Sequence, residues 1–521
     1  MKTRMEIVVA ALSLVAAPSL LAAACAPAPV ARNQAPTEGV IVHLFEWRWD
    51  DVAAECEDFL GPAGYAAVQV SPPSENHVVP GRPWWERYQP VSYRLETRSG
   101  DRAAFADMVQ RCASVGVDIY VDAVINHMAD ADLEHTEFEF TGRGTAGTMF
   151  GPYDYPGLWG YDDFNHCGLT EDDNIHDWDD MDQVWNCELV DLADLAISKP
   201  GVQERIAGYL SDLRSLGVAG FRVDAAKHMQ PDDLQAIIRR VGDPGYVYLE
   251  VKTGGRQPDW VQAYPKTGAL TEFSFGEALG EVLREHPLEA LLEGGHMWTS
   301  REYTPADHAV VFVDNHDNQR GHGGGEGILT YKDGRLYALA QAFALTWPYG
   351  RPRVMSSYAF DSDFTGPPMT PDEATRRVHR AGGNDQGNGE APVDVDCGNG
   401  RWVCEHRWPA ISGMVAFHNA VRGAPDVTRV QVRGQDVVAY GRGDVGFVVL
   451  NRSEAPYEGT FETGLPAGTY CNRAAGPPQA EQTRMRRPAV CEEVRVDADG
   501  RLRATVAPVA ALAIDLDARR N

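Results

Sequence analysis

Eight short β-rich runs recur between residues 40 and 360, and their alternation with segments of helical period constrains the fold more than any other feature of the chain. They occupy 40–45, 66–70, 117–125, 220–224, 246–251, 270–275, 309–314 and 353–357. Eight is the number that closes a parallel barrel. Between them, apolar residues fall at helical spacing: Val52, Cys56, Phe59 and Leu60, then Phe105, Met108, Val109 and Cys112, then Val202, Ile206, Tyr209, Leu210 and Leu213. Strands alternating with amphipathic helices predict an α/β fold, an eight-stranded parallel (β/α) barrel.

One connection breaks the rhythm. About seventy residues rich in Gly, Asp, Asn, Tyr and Trp separate His127 from the helix near Val202, and a loop that long reads as a subdomain inserted after strand three. After Gly423 the pattern changes to short alternating strands with Gly/Pro turns, which predicts a C-terminal β-sandwich. The expected divisions are a first barrel part at 38–127, the insertion at 128–198, a second barrel part at 199–423 and the sandwich at 424–521.

The N-terminus carries Lys2 and Arg4, an apolar run over 7–17 and small residues before Cys25, the layout of an export signal spanning 1–24. Residues 25–37 read as an Ala/Pro linker. Cys25 follows three alanines as the lipidated cysteine of a bacterial lipoprotein does, although Leu21 sits one place further away than usual. Lipid anchoring and free secretion both stay open. No later apolar stretch approaches the ~18 residues of a membrane span. Setting Cys25 aside, the nine cysteines leave Cys56, Cys112, Cys167, Cys187, Cys397, Cys404, Cys471 and Cys491. An even set in an exported chain suggests disulfides, and pairing of sequence neighbours is the simplest of the 105 arrangements. Lys and Arg number 47 against 75 Asp and Glu, a formal charge of −28 that repels nucleic acid and anionic lipid. The substrate should therefore be neutral or cationic, though excess carboxylate that merely keeps an exported protein soluble accounts for the charge equally well.

In such a barrel the C-terminal strand ends build the site. The third run ends Asp122-Ala-Val-Ile-Asn126-His127, the fourth Arg222-Val-Asp224-Ala-Ala-Lys227-His228, the fifth Leu-Glu250-Val and the seventh Asp314-Asn315-His316-Asp317. Asp224, Glu250 and Asp317 thus converge on one rim. Paired carboxylates of this kind cleave glycosidic bonds: one attacks the anomeric carbon while another, kept protonated by its neighbours, protonates the leaving oxygen. Arg222 lies two residues before Asp224 and faces the same side, where its charge favours an ionised nucleophile.

Taken in order, these four strand-end segments resemble the signature regions of the alpha-amylase family of glycoside hydrolases. Trp84-Trp85-Glu-Arg-Tyr88-Gln-Pro, Asn315-His-Asp-Asn-Gln-Arg-Gly-His322 and Pro348-Tyr-Gly-Arg-Pro-Arg353 resemble more narrowly its chloride-dependent animal-type members and their bacterial relatives. Glu96 stands where the animal enzymes have a cysteine, so one family disulfide is not expected. The resemblance implies an endo-acting hydrolase of alpha-1,4-glucans such as starch, glycogen and maltooligosaccharides. It implies Asp224 as nucleophile, Glu250 as general acid and base, and Asp317 as transition-state stabiliser in a retaining mechanism. Trp84, Trp85, Tyr88, His127, Arg222, Lys227, His228, His316 and His322 are the implied substrate-binding residues, and a secreted monomer is expected.

The same resemblance implies two ions. Asn126, Asp194 and the carbonyls of His228 and Trp185 match a calcium site joining barrel and insertion, a set of oxygens of the kind calcium prefers. Arg222, Asn315 and Arg353 match a chloride site, where an anion would separate two guanidinium groups. The bland alternatives are local turn capping for Asn126 and Asp194 and an ordinary carboxylate partner for Arg353. Competing functions are a metal-dependent hydrolase, disfavoured because Asn126-His127 stands in place of an H-x-H pair, and a silent carbohydrate-binding relative, which should lack one of the three acids. Other specificities within the family, such as alpha-glucosidase, cyclodextrin hydrolase or transferase, stay open.

Overall fold

The computed structural model describes residues 38–130, 142–323, 327–382, 391–395, 397, 401–475 and 491–520. The expected export signal, Cys25 and the linker to residue 37 lie outside the described residues.

Eight parallel strands close into a barrel. They are β1 (Ile41–Leu44), β2 (Ala67–Val70), β3 (Asp118–Ala123), β4 (Gly220–Val223), β5 (Tyr246–Leu249), β6 (Ala269–Glu272), β7 (Ala309–Val311) and β8 (Arg351–Ser356). Neighbours in sequence are neighbours in the sheet, and β1 closes the ring by pairing with β8, Ile41 opposite Arg353. Strand six is shorter than its apolar run suggested. Glu272 turns the chain by capping the next helix, its carboxylate accepting the Ser274 amide at 3.2 Å, so Phe273 and Phe275 enter that helix instead.

Helices α1 (Trp49–Glu55), α2 (Arg102–Ser114), α3 (Pro200–Ser215), α4 (Pro231–Val241), α5 (Phe273–Glu285), α6 (Arg335–Thr346) and α7 (Pro409–Val421) accompany the strands. Their starts are written locally. Asp101 accepts the Ala104 amide to cap α2, and α3, α4 and α7 begin with proline, whose fixed φ and missing N–H suit a first turn. Val202, Ile206, Leu210 and Leu213 form the buried stripe of α3, as their spacing predicted.

Side chains alternate along each strand, so every second residue enters the barrel. Ile41, Ala67, Tyr120, Tyr248 and Val310 form an apolar cluster there. Toward the C-terminal ends the inward positions turn polar, with His43, Gln69, Asp122, Arg222 and Arg353 all buried. All but His43 are held by one another: Gln69 donates to Asp122 at 3.1 Å and accepts from Tyr248 at 2.7 Å and Arg353 at 2.9 Å, and Arg222 donates to Asp122 at 2.6 Å. A buried polar layer is stable only when its members are paired, so this one ties five strands to a single arrangement.

The long connection after β3 returns beside its own start, where His127–Asp130 pairs antiparallel with Leu192–Asp194. Its other described residues have little regular structure, and the Cys167–Cys187 disulfide cross-links them. Cys56–Cys112 links α2 to the turn that continues α1, while Cys397–Cys404 and Cys471–Cys491 complete the sequence-neighbour pairing.

The C-terminal strands are β9 (Val427–Arg433), β10 (Val437–Arg442), β11 (Gly446–Asn451), β12 (Tyr457–Glu462), β13 (Gly468–Asn472), β14 (Glu492–Val496), β15 (Arg501–Val506), β16 (Ala510–Asp515) and β17 (Arg519–Arg520). One sheet runs β9-β10-β11-β16 and the other β12-β15-β14-β13-β17, with Phe447, Val449, Phe461, Leu502 and Ile514 between them. The sandwich seats on α6 and α7. Arg442 donates to the Thr346 carbonyl at 2.5 Å, and Gly413 lies so close to the chain that a Cβ there would stand 1.8 Å from the Arg473 carbonyl oxygen.

Candidate active site

Three carboxylates meet on one guanidinium. Arg222 Nη1 lies 2.6 Å from both Asp122 Oδ1 and Asp224 Oδ1, and Nη2 lies 2.8 Å from Glu250 Oε1. Strand register produces this: Arg222 is level with Asp122 on β3 and Tyr248 on β5, and Asp224 and Glu250 follow two residues further along their strands. The fourth acid, Asp317, is held after β7 by the Asn315 side chain, which accepts its amide at 3.1 Å, and its Oδ2 lies 3.4 Å from His316 Nε2.

Burial raises the Asp122 and Asp224 carboxyls above the usual range, opposed by the attraction of Arg222. Asp317 is pushed up to about 7, by burial first and by the Glu250 charge next. Arg222 stays protonated well above its ordinary value, because attraction to Asp122, Glu250 and Asp224 outweighs its own burial. Four carboxyl groups around one guanidinium cannot all ionise without strong mutual repulsion. Asp122, Asp224 and Asp317 are accordingly all held above the usual carboxylate range.

Ala225 reveals how Glu250 is aimed. It adopts φ 49°, a left-handed conformation that costs a residue with a Cβ on the order of 1 kcal/mol, and its N–H donates to Glu250 Oε2 at 2.9 Å. One carboxylate oxygen thus takes Arg222 and the other takes backbone. Ala225, Asp122 and Gln69 were missed as site residues from sequence, although Asp122 closes a strand in the way Asp224 does.

The acids open into a cleft of about 1260 Å³. Trp84, Trp85 and Tyr88 line it, Trp84 anchored by Nε1 donating to the Asp363 carbonyl at 2.6 Å and Tyr88 by its hydroxyl donating to Asp122 at 3.1 Å. His127, Lys227, His228 and His322 also reach it. Burial holds His127 down to about 4 and His228 to about 3, so both imidazoles are neutral. Two expected substrate contacts lie elsewhere. Arg222 is only 1% exposed beneath the acids, its terminal nitrogens taken by three carboxylates, and it reaches the cleft through them. His316 is buried behind Tyr88, their rings stacked at 5.1 Å, and contacts Asp317 from below. Trp178, Lys252, Trp260 and Phe273 line the cleft without having been singled out. Lys252 carried a signal, lying two residues past Glu250, whereas Trp178 lies in a turn, Trp260 in a short 3-10 helix and Phe273 at the start of α5, places where no periodicity reveals a direction.

The oxygen-rich set predicted for a cation converges in part. Asp194 is buried, accepts amides of Asn126 at 3.3 Å and Asn165 at 2.7 Å, and has no cationic side chain paired with it among the described residues. Burial pushes its carboxyl well up. Trp185 and His228 come from two short helices, Met181–Asn186 and Ala226–His228, joined where His228 Nδ1 lies 3.3 Å from the Val184 carbonyl. A buried carboxylate beside neutral amides and carbonyls fits a hard cation.

Of the residues expected around an anion, Asn315 is engaged in its own turn, its side-chain oxygen accepting the Asp317 and Asn318 amides, while the two arginines are buried. Arg353 is 3% exposed, stacks on Phe312 at 4.4 Å and bonds the neutral Gln69, with no carboxylate partner among the described residues. An ordinary ion pair is therefore not what holds it. Arg222 Nε, both His43 nitrogens and His316 Nδ1 lack hydrogen-bond partners within the described residues, and the Arg222 N–H among them is a buried donor that fits an anion.

Comparison with known proteins follows the same lines. The family described as alpha amylase, catalytic domain, matches residues 84–240, and that described as alpha amylase, C-terminal all-beta domain, matches 429–517. An alpha-amylase of Pecten maximus is 45% identical over 461 residues, covering 85% of this chain and 86% of its own. The pancreatic alpha-amylase of Homo sapiens is 44% identical over 463 residues, covering 84% and 87%. The crystal structure of alpha-amylase I from Eisenia fetida superposes with a TM-score of 0.80 at 37% identity, covering 93% of this chain and 98% of its own, and a variant of it was solved as a maltohexaose complex.

The raised Asp317 carboxyl predicts a pH-dependent stability. An unfolded Asp titrates near 3.9. The fold therefore keeps a proton that the unfolded chain releases from about pH 4 upward, and stability falls through that window until the cost is complete above about 7. Asp317→Asn should raise unfolding free energy at pH 8 by up to about 4 kcal/mol, an upper bound because the side chain retains 19% exposure, and by much less at pH 4. Thermal denaturation at the two pH values checks this; equal changes at both would refute the linkage.

Proposed function

This chain belongs to the alpha-amylase family of glycoside hydrolases, and on that premise we propose that it is an endo-acting alpha-amylase cleaving internal alpha-1,4-glucosidic bonds of starch, glycogen and maltooligosaccharides with retention of anomeric configuration. The observation that carries this reading is Asp224 and Glu250 sharing the Arg222 guanidinium at the base of an aromatic-lined cleft. Asp224 attacks the anomeric carbon as Glu250 gives its proton to the departing oxygen, forming a glycosyl ester on Asp224. Glu250, now ionised, takes a proton from the water that displaces the ester. Arg222 favours the anionic form of Asp224 against the burial that raises its carboxyl, and the Ala225 amide holds Glu250. Asp317 binds and distorts the sugar, while Trp84 and Trp85 offer flat faces to pyranose rings. The maltohexaose complex of the Eisenia fetida enzyme supports a glucan oligosaccharide as substrate.

The sequence-based division at 38–127, 128–198, 199–423 and 424–521 is the organisation we favour, with an exported monomer as the working form. Four disulfides support export. Asn126, Asp194 and the carbonyls of Trp185 and His228 would hold calcium, whose charge would compensate buried Asp194 and tie the insertion to the barrel. Arg222, Asn315 and Arg353 would hold chloride, whose negative charge favours the protonated form of a nearby acid.

Incubation with soluble starch and an end-labelled maltooligosaccharide should give internal cuts and alpha-anomeric products; no cleavage of alpha-1,4-glucan would overturn the reading. Asp224→Asn and Glu250→Gln should each lower kcat by at least about 10³-fold while the folded protein still binds oligosaccharide. Chelation of calcium should lower both activity and Tm, since an ion that binds only the folded state stabilises it by mass action. An unchanged melting curve in excess chelator removes the calcium site. In chloride-free buffer, with sulfate matching ionic strength, the basic limb of the pH–rate profile should move to lower pH and kcat should fall, and Arg353→Gln should abolish that sensitivity. Superimposable wild-type profiles would reject the chloride site alone.

A further inference from the structure

Away from the cleft, Glu281, His286 and His296 form a cluster that the proposed hydrolysis does not use. Glu281 lies in the last turn of α5, His286 is the residue that ends that helix, and His296 opens the short helix His296–Thr299. Both imidazoles point at one oxygen: His296 Nε2 lies 2.8 Å and His286 Nε2 3.4 Å from Glu281 Oε1. All three candidate ligand atoms fall within 4.8 Å of one another, and the two rings stack with centroids 4.1 Å apart. The other Glu281 oxygen accepts Arg301 Nη1 at 3.0 Å.

A tetrahedral ion with bonds of about 2.0–2.1 Å separates its ligand atoms by roughly 3.3 Å, and the distances here bracket that value. Two imidazole nitrogens and one carboxylate oxygen suit a borderline-soft divalent ion, whereas calcium takes six to eight oxygens. The ligands are already seated. The His286 amide donates to the Val282 carbonyl at 3.1 Å, its carbonyl accepts the guanidinium of Arg452 just after β11, and the Leu288 amide donates to Gln435 in the sandwich at 2.7 Å. Arg301 orients the carboxylate through its second oxygen, the outer-shell arrangement that supports a metal ligand. We infer that Glu281, His286 and His296 bind a zinc-type divalent cation, three protein ligands with the fourth position left to water, clasping α5 to the following helix where the sandwich rests on the barrel.

The test uses the mature protein with calcium kept in the buffer and Zn²⁺ or Co²⁺ as probe. Titration should show one high-affinity zinc equivalent that raises Tm, and cobalt should give the intense visible absorption of a tetrahedral site. His286→Ala with His296→Ala should abolish all three signals. Glu281→Gln, which keeps side-chain volume should the double variant fold poorly, should do the same, and Arg301→Gln should weaken zinc by about tenfold. Equal zinc affinity in wild type, the double variant and Glu281→Gln, or a weak octahedral cobalt spectrum in wild type, would overturn the site.

Discussion

Arg222 is the group on which the site depends. A guanidinium buried at the top of a closed barrel is favoured by anionic partners, and carboxylates buried beside it need a cation. Asp122, Asp224 and Glu250 come from three strands, so this mutual requirement also fixes how those strands stand relative to one another. The same contacts that hold the barrel's polar layer together place two acids where a sugar can reach both. Three acids on one arginine, with Asp317 nearby, leave the cluster short of positive charge. Burial and that shortage together raise the Asp122, Asp224 and Asp317 carboxyls above the usual range.

Cations are scarce in this chain, 47 against 75 acids, yet Arg222, Arg320 and Arg353 are all buried beneath the cleft floor. Arg320 sits 4.1 Å over Phe360 and donates to the His316 carbonyl at 2.7 Å, bracing the segment that carries Asp317. Burial, aided by these positive charges, keeps His43 and His316 neutral. The floor is thus a positive layer beneath a negative one. Neutral sugars meet the acids, and the arginines act on those acids from below without reaching the substrate.

The remaining architecture holds this layer in place. The insertion returns to pair next to Asn126 and His127, so one wall of the cleft is attached to the end of β3. The sandwich grips α6 and α7 through Arg442, Tyr440 and the close approach at Gly413, and its Arg452 reaches the turn after α5. These contacts are made largely by backbone and buried polar groups, which have few alternative partners. Their geometry is correspondingly definite.

Strand and helix periods, the change of pattern after Gly423 and the acids at strand ends were readable from the chain alone, because alternation and helical spacing are local properties enforced by backbone geometry. Cysteine pairing was readable for a related reason, since partners lie on neighbouring elements. The aromatic wall from Trp178, Trp260 and Phe273 was not, because a turn, a short 3-10 helix and the first residue of a helix have no period that reveals where a side chain points. Nor could sequence show that Arg222 and His316 lie beneath the cleft lining, or that Ala225 turns left-handed to aim Glu250. The chain by itself determined which chemical groups stand at the barrel rim. Only the tertiary structure decided which of them touch, which face the cleft and which are buried below it, because those outcomes depend on strand register and on burial supplied by residues hundreds of positions away.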